Sequence, residues 1–287
     1  MKIDDLCARD WSFLAAKESY QEAGLVLTGL PLDLTSSFRP GSRQGPQAIR
    51  SVSEGLEEFS PYLNLDLGDC PFYDGGDLLL PFGNLHVCLE RIEEICRLLL
   101  TDEKLPVFFG GEHLVTFPVI KAMLDFYPDL AILQFDAHAD LRDEYMGEKH
   151  SHATVIRRVS ELVGPDHVYQ FGIRSGTRDE FSFGHNFTHF YPFQVLPGLE
   201  SVLSALKGRP LYVTIDIDVV DPAYAPGTGT PEPGGVTPQE IFRVFELLQG
   251  WNVVGCDIVE LSPVYDPSGI TALLAAKMVR EALLAFS

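Results

Sequence analysis

The chain has few cysteines and no Cys-x-x-Cys pair. Its five, Cys7, Cys70, Cys88, Cys96 and Cys256, are scattered and odd in number. Neither a thiolate metal site nor a disulfide framework is indicated, and the pattern predicts a reducing, cytoplasmic setting. Long apolar runs are missing: none approaches the ~18 residues a membrane span needs. Met1 to Asp10 carries Asp4, Asp5 and Arg9 and no apolar stretch, so a secretory leader is not expected. Basic residues are scarce as well. Lys and Arg number 21 against 41 Asp and Glu, a formal net charge of −20. Such a field repels nucleic acid and anionic membranes and favours cationic ligands, although solubility alone also accounts for acidity.

What is present is apolar patterning. Of 287 residues, 46% are hydrophobic, enough for a large core. Leu25–Leu30, Val107–Phe109, Leu130–Phe135, Val168–Ile173, Leu211–Ile217 and Val253–Val259 read as buried strands. Pro46–Val52, Leu85–Leu100, Phe117–Phe126, Thr154–Val163, Glu200–Leu206, Pro238–Leu248 and Ile270–Phe286 read as helices. Thr237 with Glu240, and Ser268–Gly269, mark two helix starts. This alternation predicts an α/β fold, a mostly parallel sheet with helices on both faces. No linker divides the chain, so residues 1–287 are expected to form one domain.

Such folds bind ligands beyond the carboxyl ends of their strands. Four strands run straight into polar residues there: Gly110-Gly111-Glu112-His113, Asp136-Ala137-His138-Ala139-Asp140, Asp216-Ile217-Asp218, and Asp257 to Glu260. In an extended segment the two-residue spacing of Asp136, His138 and Asp140, and of Asp216 and Asp218, sends these side chains to one face. Four Asp and two His, counting His113, then share a small volume. Unneutralised, the carboxylates would repel one another. Divalent cations remove that penalty, and an oxygen-rich set with two histidines and no sulfur suits Mn²⁺ best, with Co²⁺, Fe²⁺ or Zn²⁺ as substitutes. Six ligands exceed one ion's need, so two ions per chain are expected. A single-Zn²⁺ hydrolase would leave Asp140 and Asp218 surplus. Two ions about 3.5–4 Å apart lower the pKa of a shared water.

Glu260, on the same rim, reads either as an N-cap or surface acid or as a carboxylate that could hold a planar guanidinium by two parallel hydrogen bonds. His150 and His152, in the polar segment past Asp140, are both candidates to protonate a leaving amine. The Pro- and Gly-rich stretch from Pro222 to Gly235 predicts a stiff irregular loop at the mouth of the site. The Arg39–Pro46 loop lacks the spacing of a phosphate-binding motif.

Several motifs in order resemble the ureohydrolase (arginase/agmatinase) family, its agmatinases most closely, over nearly the whole chain. They are Gly29-Leu30-Pro31-Leu32-Asp33 with Gly41 to Arg50, Gly110-Gly111-Glu112-His113, Asp136 to Asp140, and Asp216 to Pro222 with Ala225 to Gly235. The resemblance implies a three-layer α/β/α sandwich assembled into trimers or hexamers. It implies that His113, Asp136, Asp140 and Asp216 bind one Mn²⁺, and that Asp136, His138, Asp216 and Asp218 bind the other. It makes His152 the proton shuttle, with Ala153 replacing a glycine, and Glu260 the guanidinium ligand. Glu112 stands where the family has Asp, and is expected to support His113.

The expected reaction is hydrolysis of agmatine to putrescine and urea. Other guanidino hydrolases (guanidinobutyrase, arginase, formimidoylglutamase) are the alternatives within the class, and a lapsed binding protein of the same fold is the alternative outside it. An intact ligand set argues against the last. The arginase-like loop after the Asp-Ala-His-x-Asp motif offers Asn and Ser to an α-carboxylate. Here Leu141–Lys149 has neither, and its three acids favour a cationic tail. Glu144 and His150 are therefore expected at the substrate. Arg142 and Lys149 point the other way.

Overall fold

A computed structural model describes residues 2–17 and 19–287. In chain order its strands are β1 (Cys7–Ala8), β2 (Leu25–Gly29), β3 (Phe59–Ser60), β4 (Leu65–Asp66), β5 (Phe72–Leu78), β6 (Leu105–Phe109), β7 (Ala131–Phe135), β8 (Val168–Phe171), β9 (His189–Tyr191), β10 (Leu211–Asp216) and β11 (Val253–Val259). The helices are α1 (Ile3–Leu6), α2 (Gly45–Ser53), α3 (Leu85–Thr101), α4 (Thr116–Met123), α5 (Val155–Val163), α6 (Arg178–Phe187), α7 (Leu196–Leu206), α8 (Pro238–Leu248) and α9 (Ile270–Ala285). The main sheet runs β1-β5-β2-β6-β11-β10-β7-β8-β9. Only β1 is antiparallel to its neighbour. β3 and β4 form a separate hairpin.

The central strands are buried on both faces, which explains their continuous apolar character. Leu133, Phe135, Val213 and Ile215 pack into one core with residues of α7, α8 and α9. Ile132 and Tyr212, pointing the opposite way, pack into a second core with residues of α3, α4 and α5. Two cores on opposite faces make a three-layer α/β/α sandwich, as expected. No helix among the described residues is long and apolar enough to cross a membrane.

All six expected strands form, with ends shifted by a residue or two. Seven elements escape the apolar pattern: α1, α6 and the strands β1, β3, β4, β5 and β9. β5 contains Asp74, Gly75, Gly76 and Asp77, yet Arg50 on α2 neutralises Asp74 from 2.8 Å inside the fold. β1 and β9 are short edge strands. α6 carries a capping box, Thr177 with Glu180, that marks its start. α7 begins at Leu196 and not Glu200, because Pro197 fits a first turn. α9 starts where Ser268–Gly269 predicts, but the capping acceptor is Asp266, which takes the Thr271 amide at 2.7 Å.

Candidate metal centre and active site

Register gathers the site. Phe109 pairs with Ile258, Ile258 with Ile215, and Ile215 with Phe135. The four adjacent strands β6, β11, β10 and β7 therefore reach one level together, and the next residues of each step over the same rim. After β6 the chain turns through Gly110 and Gly111, both at positive φ (75° and 80°). A Cβ on Gly111 would lie 2.1 Å from the Leu30 carbonyl, so only glycine fits.

His113 follows that turn. Its Nε2 lies 2.9 Å from Thr214 Oγ1. The Thr214 hydroxyl donates to Asp257 at 2.5 Å, so it must accept from the imidazole N–H. Tyr212 and Thr116 hydroxyls also donate to Asp257, at 2.7 and 2.8 Å. This fixes the tautomer: the hydrogen sits on Nε2 and the lone pair on Nδ1. Nδ1 is buried without a hydrogen-bond partner. It faces carboxylate oxygens of Asp136 at 3.0 Å, Asp140 at 3.2 Å and Asp216 at 3.6 Å. A lone pair aimed at three anionic oxygens calls for a cation between them.

The other carboxylates arrive by turns and not by strand alternation, which corrects the extended geometry expected for them. Asp136 Oδ1 accepts from the His138 amide at 2.6 Å, and Asp216 Oδ1 from the Asp218 amide at 2.8 Å. Each strand thus curls at its first acid, as Asp side chains allow. Asp140 lies in the left-handed region, φ 53°. His138 Nδ1 is 2.9 Å from Asp218 and 3.7 Å from Asp136. Two metal-capable groups result, His113–Asp136–Asp140 and Asp136–His138–Asp218, sharing Asp136. Asp216 lies beside the first.

The electrostatics agree. Burial, then Asp136, pushes the Asp140 carboxyl up to about 7. Burial, then Asp218 and Asp136, pushes Asp216 well above the carboxylate range. Burial opposes charge on His138, but Asp218 outweighs it and raises the imidazole to about 10. Groups this crowded hold protons among themselves; divalent cations replace those protons. The residues fit a binuclear metal site.

Beside it opens a cavity of about 280 Å³, lined by His138, Asp140, Asp216, Glu260 and His152 among others. Glu260 has φ 65° and is buried. Its Oε1 accepts from the His113 amide at 2.8 Å. Burial, then Glu112, pushes its carboxyl up to about 8. His152 donates Nδ1–H to the Thr35 carbonyl at 2.8 Å, and its Nε2 lies 3.1 Å from Ser37 Oγ. Burial lowers the imidazole to about 4, against the raising effect of the Thr35 carbonyl.

Three expectations need correction. His150 and Glu144 do not line the cavity: the His150 ring packs on Phe117, centroids 5.1 Å apart, and Glu144 is exposed. Asp143 is held outward by Arg158 at 2.8 Å. The acid that does line the cavity outside the metal cluster and Glu260 is Glu180, from the unanticipated α6. It pairs with Arg142 at 3.3 Å, which balances that cation within the protein. Glu112 does not support the His113 ring; Thr214 and Asp257 do. Glu112 Oε2 instead accepts from the Thr35 amide at 2.8 Å. Gln134 was also missed. It donates to Asp136 Oδ2 at 2.7 Å and accepts from Gln170 at 2.7 Å. A signal existed for these groups: Thr214 pairs with Asp257, and Gln134 with Gln170, as polar residues facing each other inside apolar strands.

The arginase family model matches residues 23–285. The chain belongs to the arginase family. It is a hydrolase acting on C–N bonds in linear amidines. Within the family it is 54% identical to an agmatinase of Bacillus subtilis over 277 residues, 96% of each chain. It is 37% identical to the mitochondrial guanidino acid hydrolase of Homo sapiens, covering 95% of this chain and 81% of that one. The crystal structure of the agmatine ureohydrolase of Thermoplasma volcanium superposes with a TM-score of 0.88 at 34% identity, covering 97% of this chain and 95% of that chain. That structure matches the α/β/α sandwich as well as the sequence.

Proposed function

We propose that this chain is an agmatinase that uses two Mn²⁺ ions to convert agmatine and water to putrescine and urea. The observation that carries the reading is the meeting of two metal-capable groups with Glu260 and His152 at one cavity. Similarity to agmatinases supports the substrate. His113, Asp136, Asp140 and Asp216 would hold one ion, and Asp136, His138, Asp216 and Asp218 the other. Bound there, the ions supply Lewis-acid activation of water.

The protein's own groups do the rest. Glu260 is pinned by the His113 amide through Oε1, and among the described residues no hydrogen bond occupies Oε2. Oε2 accepts a guanidinium N–H and orients the planar group. His152 is neutral near pH 7, with its lone pair on Nε2. That nitrogen takes up the proton released as water adds to the guanidinium carbon. It then delivers the proton to the departing amine, for which so weakly basic an imidazole is a strong donor.

At the tail end, Arg142 is the one Lys or Arg among the described cavity-lining residues, and its pairing with Glu180 disfavours a substrate carboxylate and favours agmatine. The competing reading, a guanidino acid hydrolase, rests on Arg142 swinging from Glu180 to that carboxylate. Measuring kcat/KM for agmatine, arginine and 4-guanidinobutyrate under one Mn²⁺ condition decides between them. Agmatine is expected to lead; a match by either acid defeats the agmatinase reading while leaving amidine hydrolysis intact.

The proposal extends to one ureohydrolase domain over residues 1–287, acting in the cytoplasm as a homo-oligomer, a trimer or hexamer, with no nucleic-acid or membrane partner. Five buried free cysteines suit a reducing compartment. Exposed Trp11, Leu79 and Phe82, clustered on one surface hollow, suit burial between copies.

A further inference from the structure

Glu112 is fully buried one residue before His113, yet its carboxylate serves a different segment. Both oxygens accept from the Thr35 amide, at 2.8 and 3.1 Å, and Oε2 also takes the Ser36 hydroxyl at 3.4 Å. Thr35 in turn presents two acceptors to His152. Its Oγ1 takes the His152 amide at 3.0 Å, and its carbonyl takes Nδ1–H at 2.8 Å. Ser37 then meets Nε2 at 3.1 Å. Residues 35–37 have no regular secondary structure, and Ser37 is exposed. A surface segment of that kind keeps one conformation only where buried groups tie it down. Here the tie is the hydrogen bond that the Thr35 amide donates to a carboxyl group inside the fold.

The consequence falls on the imidazole. An Nδ1–H held by a carbonyl leaves the lone pair on Nε2, at the cavity. If the Thr35 carbonyl moves, the ring loses both its tautomer and its aim. We propose that Glu112 is a positioning residue for His152, acting through Thr35 and Ser37. The inference rests on the reading of His152 as the proton carrier.

A double-mutant cycle in the Mn²⁺-loaded enzyme tests it, with agmatine as substrate and with bound metal measured for every variant. Glu112→Ala is expected to lower kcat on the order of 10-fold, part of what a positioned acid–base group contributes. KM and metal content should not change, and hydrogen exchange across residues 33–37 should accelerate. Glu112→Ala added to His152→Ala should cost nothing further. Glu112→Gln, which keeps an acceptor for the Thr35 amide, should recover most of the loss. Should the alanine variant not fold, the Gln variant runs the same cycle, with a smaller loss that again vanishes beside His152→Ala. An equal loss with and without His152, a loss of metal, or unchanged exchange at 33–37 would overturn the proposal while sparing the reading of His152. Unchanged kcat in His152→Ala alone would overturn both.

Discussion

Glu260 accepts a hydrogen bond from the backbone amide of His113 at 2.8 Å. The carboxylate assigned to the guanidinium is thereby braced against the strand end that carries a proposed metal ligand. Substrate and metal sites share one anchor, and variants at Glu260 separate its two duties. Glu260→Gln can still accept from the amide, so metal content should hold while kcat/KM falls; losing a charged partner costs about 1.5–3 kcal/mol. Glu260→Ala should in addition strand a buried N–H and lower thermal stability by about 1–3 kcal/mol. Metal loss in Glu260→Gln would show that the carboxylate serves the ions.

Asp136 belongs to both metal-capable groups and Asp140 to one. Elemental analysis after Mn²⁺ loading should find two ions per chain. Asp136→Asn should diminish both and Asp140→Asn mainly one. A single ion in the unmodified protein would remove the binuclear scheme.

Asp257 gathers three hydroxyls, and one of them fixes the His113 tautomer. Asp257→Asn turns an amide toward those donors. It should weaken metal binding roughly 10–100-fold, the usual effect of losing a group that orients a ligand. Titration of the metal-free protein with Mn²⁺ checks this; unchanged affinity would mean that Thr214 suffices alone.

His152→Ala should lower kcat by roughly 10²–10⁴-fold and His150→Ala far less, since His150 packs on Phe117 outside the cavity. A pH signature accompanies the first. Burial depresses the His152 pKa from 6.5 to about 4. The unfolded chain therefore binds a proton that the folded one does not. The stability this histidine contributes as a neutral group is present above pH 6.5 and is lost as pH falls through 4. Chemical denaturation of metal-free protein should show His152→Ala losing less stability than the parent across that window. Parallel curves would mean that His152 titrates normally.

Much of this protein was legible in its sequence for a simple reason. Strands buried on both faces must be apolar, so Asp136, Asp216 and Glu260 stand out where they interrupt or end such runs. Six of the strands and the site's ligand types followed from that contrast alone. β5 did not, because its acids are neutralised by Arg50, distant in sequence. The contacts that orient the site were equally hidden. His152 meets Thr35 across 117 residues, and His113 meets Thr214 across 101. Local pattern carries no record of such pairs. The sheet order and register create them, by bringing four strand ends to one level and folding the loop after β2 over the cavity. The amino-acid sequence by itself determined which groups would stand at the rim; the packing of the sheet decided which of them touch, in which tautomer, and that Glu180 and not Glu144 lines the cavity.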